Sequence, residues 1–150
     1  MAIREEIREL ARRFMEEEVP FNRFLGMRIT HLDAGEANME IPFRDELVGD
    51  PFRPALHGGV ISALLDTCGG AAALTTLDSL EDRASTVDLR VDYLRPGRKE
   101  TLVAEARVVR AGNRVAVVQL SAFHPGDRER PVATGVGVYN MRRKGEGVQP

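Results

Sequence analysis

The sequence predicts an α+β domain: an antiparallel β-sheet wrapped around one long central helix, with an additional helix at the N-terminus. Three observations predict it. Residues 54–74 are the one long stretch with apolar helical spacing, through Val60, Ile61, Leu64, Leu65, Cys68 and Ala72. Four segments after it, 84–94, 101–109, 115–123 and 132–141, read as strands joined by tight turns. Two shorter strand-like segments precede it. An antiparallel sheet needs its apolar face covered, and only the 54–74 helix is apolar enough to cover this one.

Each element has its own signal. Residues 2–17 carry an apolar stripe, Ile3, Ile7, Leu10, Ala11 and Phe14, among Arg and Glu, which is the pattern of a packing helix. Val19-Pro20 ends it, and residues 21–26 form a connector with Phe21, Phe24 and Leu25 as apolar anchors. Residues 27–33 and 37–43 alternate about the turn Ala34-Gly35-Glu36 and are expected to form a hairpin. Pro42 marks an edge or a strand's end, and His31 is a surface strand position. Residues 44–56, with Gly49, Pro51 and Pro54, make an irregular loop of a length that is often functional. Residues 78–83 are a charged turn. Arg95-Pro96-Gly97-Arg98, Gly112-Asn113 and Pro125-Gly126-Asp127 then separate four strands that are expected to pair consecutively as a meander. A polar tail occupies 142–150. One sheet around one helix leaves strand edges exposed, so a homo-oligomer is expected.

The bulk numbers set limits. The 150 residues are 43% hydrophobic, enough for one domain with a real core. The net charge of -2 gives no basic footprint for nucleic acid. A single cysteine, Cys68, excludes an internal disulfide and fits a reducing compartment. The first residues lack a secretory apolar core, and no apolar run is long enough to span a membrane, so a cytoplasmic protein is expected. The three histidines are far apart in sequence and show no helical metal-ligand pair, so no metal is expected. Cys68 reads as core rather than as a nucleophile.

The central stretch also carries the chemistry. Asp66 is its one charge, and Gly59, Ser62, Ala63, Gly69, Gly70 and Ala73 lie three or four residues or two turns away on neighbouring positions. Glycine inside a helix costs about 1 kcal/mol relative to alanine, so Gly69-Gly70 answer a requirement beyond helix formation. A solvated polar position is the plain alternative for Asp66, but the polar face is otherwise nearly empty, and a lone carboxylate in an apolar helix needs hydrogen bonds or a task. At the helix start, Gly58 and Gly59 have amides without intrahelical partners, at the positive end of the helix dipole.

The order of elements and these residues resemble the hotdog-fold thioesterases, in particular the PaaI-like branch with its YigI-like acyl-CoA thioesterases. Asp50-Pro51, then Ala55-Leu56-His57-Gly58-Gly59-Val60-Ile61 and Leu65-Asp66, resemble that branch's main motif. Val87-Asp88-Leu89 with Tyr93-Leu94-Arg95-Pro96 resembles its second. The resemblance spans residues 20–141. It implies an acyl-CoA thioesterase with Asp66 as general base or nucleophile and the Gly58 N–H, beside Gly59, as donor to the oxyanion. At about 1.5 Å per residue, Asp66 is roughly 10 Å from Gly59, so both cannot reach one carbonyl within a subunit. The resemblance resolves this with a site shared across a homodimer, alone or in a dimer of dimers (a homotetramer).

His57 is expected to orient the loop or the substrate. Thr86 stands where some members of that branch carry a hydroxyl that helps hold the acid or water, and an ordinary strand threonine is the plain alternative. Asp50 replaces an asparagine frequent in YigI-like members; an ionised Asp cannot donate as Asn does, so it either shapes the loop or adds a second acid. Leu47, Val48 and Phe52 are candidates to line an acyl pocket, with plain core packing as the alternative. Arg95, Arg98, Lys99, Arg110 and Arg114 are candidates for the phosphates of coenzyme A, which enters only as part of the substrate; no cofactor is implied. Two rival readings remain. A non-catalytic acyl-CoA-binding or sensing protein would need the groove but no buried acid. An enoyl-CoA hydratase would want Asp and His together on one loop-and-helix unit, whereas here they lie apart.

Overall fold

A computed structural model describes residues 3–79 and 81–145. Residue 2 of the expected first helix, residue 80 of the expected charged turn and residues 146–150 of the expected tail lie outside the described residues. The N-terminal helix α1 runs Glu5–Arg13, with Glu5 and Glu6 in its first turn and Arg12 and Arg13 in its last, as the helix dipole favours. It passes into a π-helical turn, Phe14–Glu18, closed by Val19 N–H donating to Phe14 C=O at 3.1 Å. The expected connector is instead a short helix, α2 (Pro20–Leu25). Pro20 is pre-set for its first turn, and Gly26 ends it in the left-handed region at φ 71°. The buried Asn22 ties α2 back by donating to Met15 C=O at 3.0 Å.

Strands β1 (Arg28–Asp33) and β2 (Glu36–Ile41) form the expected hairpin about Gly35, whose φ of 74° suits glycine. Ala37, Met39 and Ile41 alternate inward along β2, which ends at the residue before Pro42. The 44–56 loop is more ordered than its sequence suggests. It holds a 3-10 turn (Asp45–Leu47) and a small hairpin, β3 (Val48–Asp50) with β4 (Ala55–Leu56).

The central helix α3 spans Gly58–Leu74, starting after Pro54 and the short β4 rather than at Pro54. Then come β5 (Arg83–Tyr93), β6 (Leu102–Ala111), β7 (Val115–Phe123) and β8 (Ala133–Arg142). The six long strands form one antiparallel sheet in the order β1-β2-β6-β7-β8-β5. The expected four-strand meander is therefore corrected: only β6-β7-β8 pair consecutively. The 94–101 connection is a crossover that puts β5 on the far edge beside β8, while β2 takes the place beside β6.

The inner face of this sheet packs on α3. Small side groups at Ala37, Ala104, Ala106 and Ala116 let the helix approach, and Val118, Leu120 and Met39 fill between them. Cys68 is fully buried there and its thiol lies 3.3 Å from Ala37 C=O. β5 pairs only with β8, so its outer edge is open, and Val87 and Tyr93 on it are 64% and 53% exposed.

Candidate active site

The loop and the start of α3 are locked together. His57 caps the helix: its backbone is extended (φ −60°, ψ 131°) and its Nδ1 accepts the Gly59 N–H at 2.8 Å. An imidazole accepting at Nδ1 carries no proton there, so its hydrogen sits on Nε2. The His57 N–H donates to Leu47 C=O at 2.8 Å, and Gly49 packs so closely on His57 that a Cβ would meet His57 Cα at 2.6 Å. This capping separates the two glycine amides. The Gly59 N–H is spent on His57, whereas the Gly58 N–H makes no hydrogen bond among the described residues. Gly58 C=O is held from outside the helix by the Tyr93 hydroxyl at 2.9 Å.

Asp66 lies two turns further along α3 and is half buried. Thr86 Oγ1, on β5, donates to its Oδ1 at 2.7 Å. The Tyr139 hydroxyl, on β8, donates to Asp66 C=O at 2.9 Å and stands 3.4 Å from the same Oδ1. Asp66 Oδ2 has no partner among the described residues. One carboxylate oxygen is thus anchored and the other is open to a water or a carbonyl carbon. Gly58 and Asp66 are eight positions apart on one helix, about 12 Å along its axis.

The other candidates fall into three groups. Asp50 shapes its loop: its Oδ1 accepts the Arg53 and Phe52 N–H at 3.2 and 2.9 Å, and these amides hold its carboxyl below the usual range. Of the apolar candidates, Leu47 is sequestered in the core, Val48 is half buried and Phe52, at the loop tip, is 94% exposed. Two of the four candidate arginines, Arg95 and Arg98, are tied by partners within this chain. Arg95 donates to Pro131 C=O at 2.9 Å, and Arg98 pairs with Glu100 and, at 3.2 Å, with Asp127. Buried His124 fixes this turn, accepting the Arg98 N–H at Nε2 (2.8 Å) and facing Thr101 C=O with Nδ1 (2.9 Å).

Tyr139 is the residue beside the acid that sequence reasoning does not reach. Its signal lies in the glycines: Gly69 in the helix and Gly137 in the last strand are empty positions that together admit one large side group. Its ring is 1% exposed, and burial together with the nearby Asp66 charge pushes its ionisation upward, so the hydroxyl remains a donor.

The sequence profile described as "Thioesterase superfamily" matches residues 54–130, which hold β4, α3, β5, β6 and β7. The medium/long-chain acyl-CoA thioesterase YigI of Escherichia coli K12 is 38% identical over 133 residues, covering 81% of this protein and 84% of that one. YigI of Salmonella typhimurium LT2 is 39% identical over 114 residues, 68% of this protein and 74% of that one. Among solved structures, a Shewanella oneidensis protein related to the thioesterase superfamily superposes with a TM-score of 0.80 at 32% identity, covering 91% of this protein and 95% of that one. A thioesterase family protein from Silicibacter pomeroyi gives 0.78 at 28% identity, with 89% and 97% covered. The sheet wrapped on α3 is the hotdog fold of these neighbours. A match that includes the helix start and the acid, with relatives aligned over most of both sequences, means that this protein belongs to the thioesterase superfamily and is a thioester hydrolase.

Proposed function

We propose that the protein hydrolyses acyl-CoA thioesters to a free acid and coenzyme A, at a site shared by two protomers. The observation that carries this reading is the pair of open groups on α3: the unpartnered Gly58 N–H and the free Oδ2 of an otherwise anchored Asp66. At about 12 Å apart they cannot serve one carbonyl within a protomer, so Gly58 of one protomer faces Asp66 of its partner. The open edge of β5, with Val87 and Tyr93 exposed on it, supports the pairing, since a free edge strand offers a ladder for a second copy. A dimer of dimers would extend the same arrangement.

Asp66 Oδ2 takes a proton from a water, which attacks the thioester carbonyl carbon. The oxyanion receives the Gly58 N–H, backed by the α3 dipole. The C–S bond then breaks, and coenzyme A leaves with a proton returned by Asp66. Attack by Oδ2 itself, through a mixed anhydride that water then opens, uses the same groups. Thr86 keeps the carboxylate turned, His57 holds the loop on the helix start and keeps Gly59 engaged, and Asp50 sets the loop turn. In this reading Val48 and Phe52 border the acyl group, while Arg95 and Arg98 would have to exchange their present partners to meet phosphate. No cofactor takes part, and the setting is cytoplasmic. Among the described residues, no helix is long and apolar enough to cross a membrane.

The test is thiol release from acyl-CoAs of graded acyl length, with wild type and Asp66→Asn. The expected result is turnover of some members and a loss of about a hundredfold or more in the variant. Binding without turnover across the panel would replace this reading with a non-catalytic acyl-CoA-binding protein.

A further inference from the structure

The strand register sets two hydroxyls side by side over the acid. Thr86 on β5 and Tyr139 on β8 are direct partners across the β5–β8 pair, so their side groups share a face and start about 5 Å apart. The register shifts immediately after Thr86, between it and Asp88. Both hydroxyls end on Asp66: Thr86 on Oδ1 at 2.7 Å, Tyr139 on the backbone carbonyl oxygen at 2.9 Å and within 3.4 Å of Oδ1. Room for the phenol is left by two glycines on different elements. A Cβ on Gly69, one turn from Asp66, would meet the Tyr139 hydroxyl at 2.2 Å, and one on Gly137 would meet it at 2.7 Å. Helix packing alone explains neither glycine, because alanine is the better helix former and Gly137 lies in a strand.

We propose that Tyr139 is a positioning residue for the reaction: it reaches through the Gly69–Gly137 slot and, together with Thr86, fixes the backbone and Oδ1 of Asp66 so that Oδ2 points at the substrate. This rests on Asp66 being the general base or nucleophile. Tyr139 touches neither water nor thioester; it acts through Asp66. Its single proton is donated to the Asp66 carbonyl oxygen, which locks the turn bearing the acid, while Thr86 donates to Oδ1.

Tyr139→Phe tests this, because the ring still fits the slot and only the hydroxyl is lost. The expected result is a kcat about tenfold lower, the scale of one hydrogen bond at the acid, with KM nearly unchanged. Combining Tyr139→Phe with Thr86→Ala should depart from the product of the single losses, because both hold the one residue Asp66, and a loss equal to that product would count against the proposal. Gly69→Ala, assayed well below its melting temperature, displaces the hydroxyl without removing it and should give the same kinetic signature. A Tyr139→Phe enzyme with wild-type kcat, whatever its melting temperature, overturns the proposal. Asp66→Asn separates the two readings: if it retains turnover, the proposed function fails; if it is inactive while Tyr139→Phe is unaffected, only the positioning role fails.

Discussion

Two neighbouring glycines of α3 should answer the same substitution with opposite signs. A Cβ on Gly69 would lie 2.2 Å from the Tyr139 hydroxyl and 2.9 Å from its Cζ, whereas one on Gly70 meets only Tyr139 Cε1, at 3.6 Å. Both changes to alanine gain about 1 kcal/mol of helix propensity. At Gly70 no close contact opposes the gain, so Gly70→Ala should raise the melting temperature by about 2–4 °C. At Gly69 the hydroxyl has to move, and the ring is held by its burial and by its contact with Gly137. Overpacking costs about 1–3 kcal/mol, and the displaced hydrogen bond to Asp66 C=O about 1 kcal/mol more. Against the propensity gain this leaves a net loss of about 2 kcal/mol, a fall of about 4–8 °C. Calorimetry on wild type, both variants and the pair Gly69→Ala with Tyr139→Phe reads this directly, all at one protein concentration. In the pair, loss of the hydroxyl should return part of the cost. If Gly69→Ala is neutral or stabilising, or if both glycines respond alike, the Tyr139 slot is not what excludes a Cβ at Gly69.

Two further predictions concern groups away from the reacting atoms. Cys68 is fully buried and its burial pushes the thiol's ionisation upward, so a disulfide reagent should label it only in denaturant; fast labelling of the native protein would contradict the packing of α3 on β2. The buried Asp82 accepts the Lys144 and Ser79 N–H at 2.7 and 3.2 Å, and these bonds, the one from Lys144 foremost, hold its carboxyl below the usual range. A lowered folded pKa contributes stability above the unfolded value of about 3.9, and that contribution is lost as pH falls through the folded value. Asp82→Asn should therefore lower the melting temperature at neutral pH and flatten its decline in acid; an unchanged acid slope would refute the linkage.

Local patterns carried most of the fold into the sequence. The alternation in β2 and β7 and the apolar spacing of α3 are short-range signals, and each element formed close to its expected span. The strand order was less legible. Arg95-Pro96-Gly97-Arg98 reads as a hairpin turn, yet its backbone serves a crossover, with Leu56 N–H on Gly97 C=O and Arg98 N–H on His124. No local residue announces those distant partners. The acid and the helix start stand out because a lone charge and paired glycines are anomalies in an apolar helix. Tyr139 does not, because a tyrosine in an alternating strand is ordinary until the register places it opposite Thr86. Asp50 and Arg98 look free for chemistry in the sequence because their partners, backbone amides and acids across a turn, are fixed by tertiary geometry.

The central claim is a site built from two protomers, and mixing two inactive variants tests it most directly. Asp66→Asn removes the carboxylate proposed as the base or nucleophile. Gly58→Pro removes one N–H at the first helical position, where proline is tolerated, and His57 already has the extended backbone favoured before proline. Each homodimer should be inactive in thiol release. After the two are unfolded and refolded together at equal amounts, half of the dimers should be mixed, each with one complete site, so activity should recover to about a quarter of wild type. A mixture that stays as inactive as its components, with mixed dimers demonstrated by a tag on one variant, would contradict a shared site.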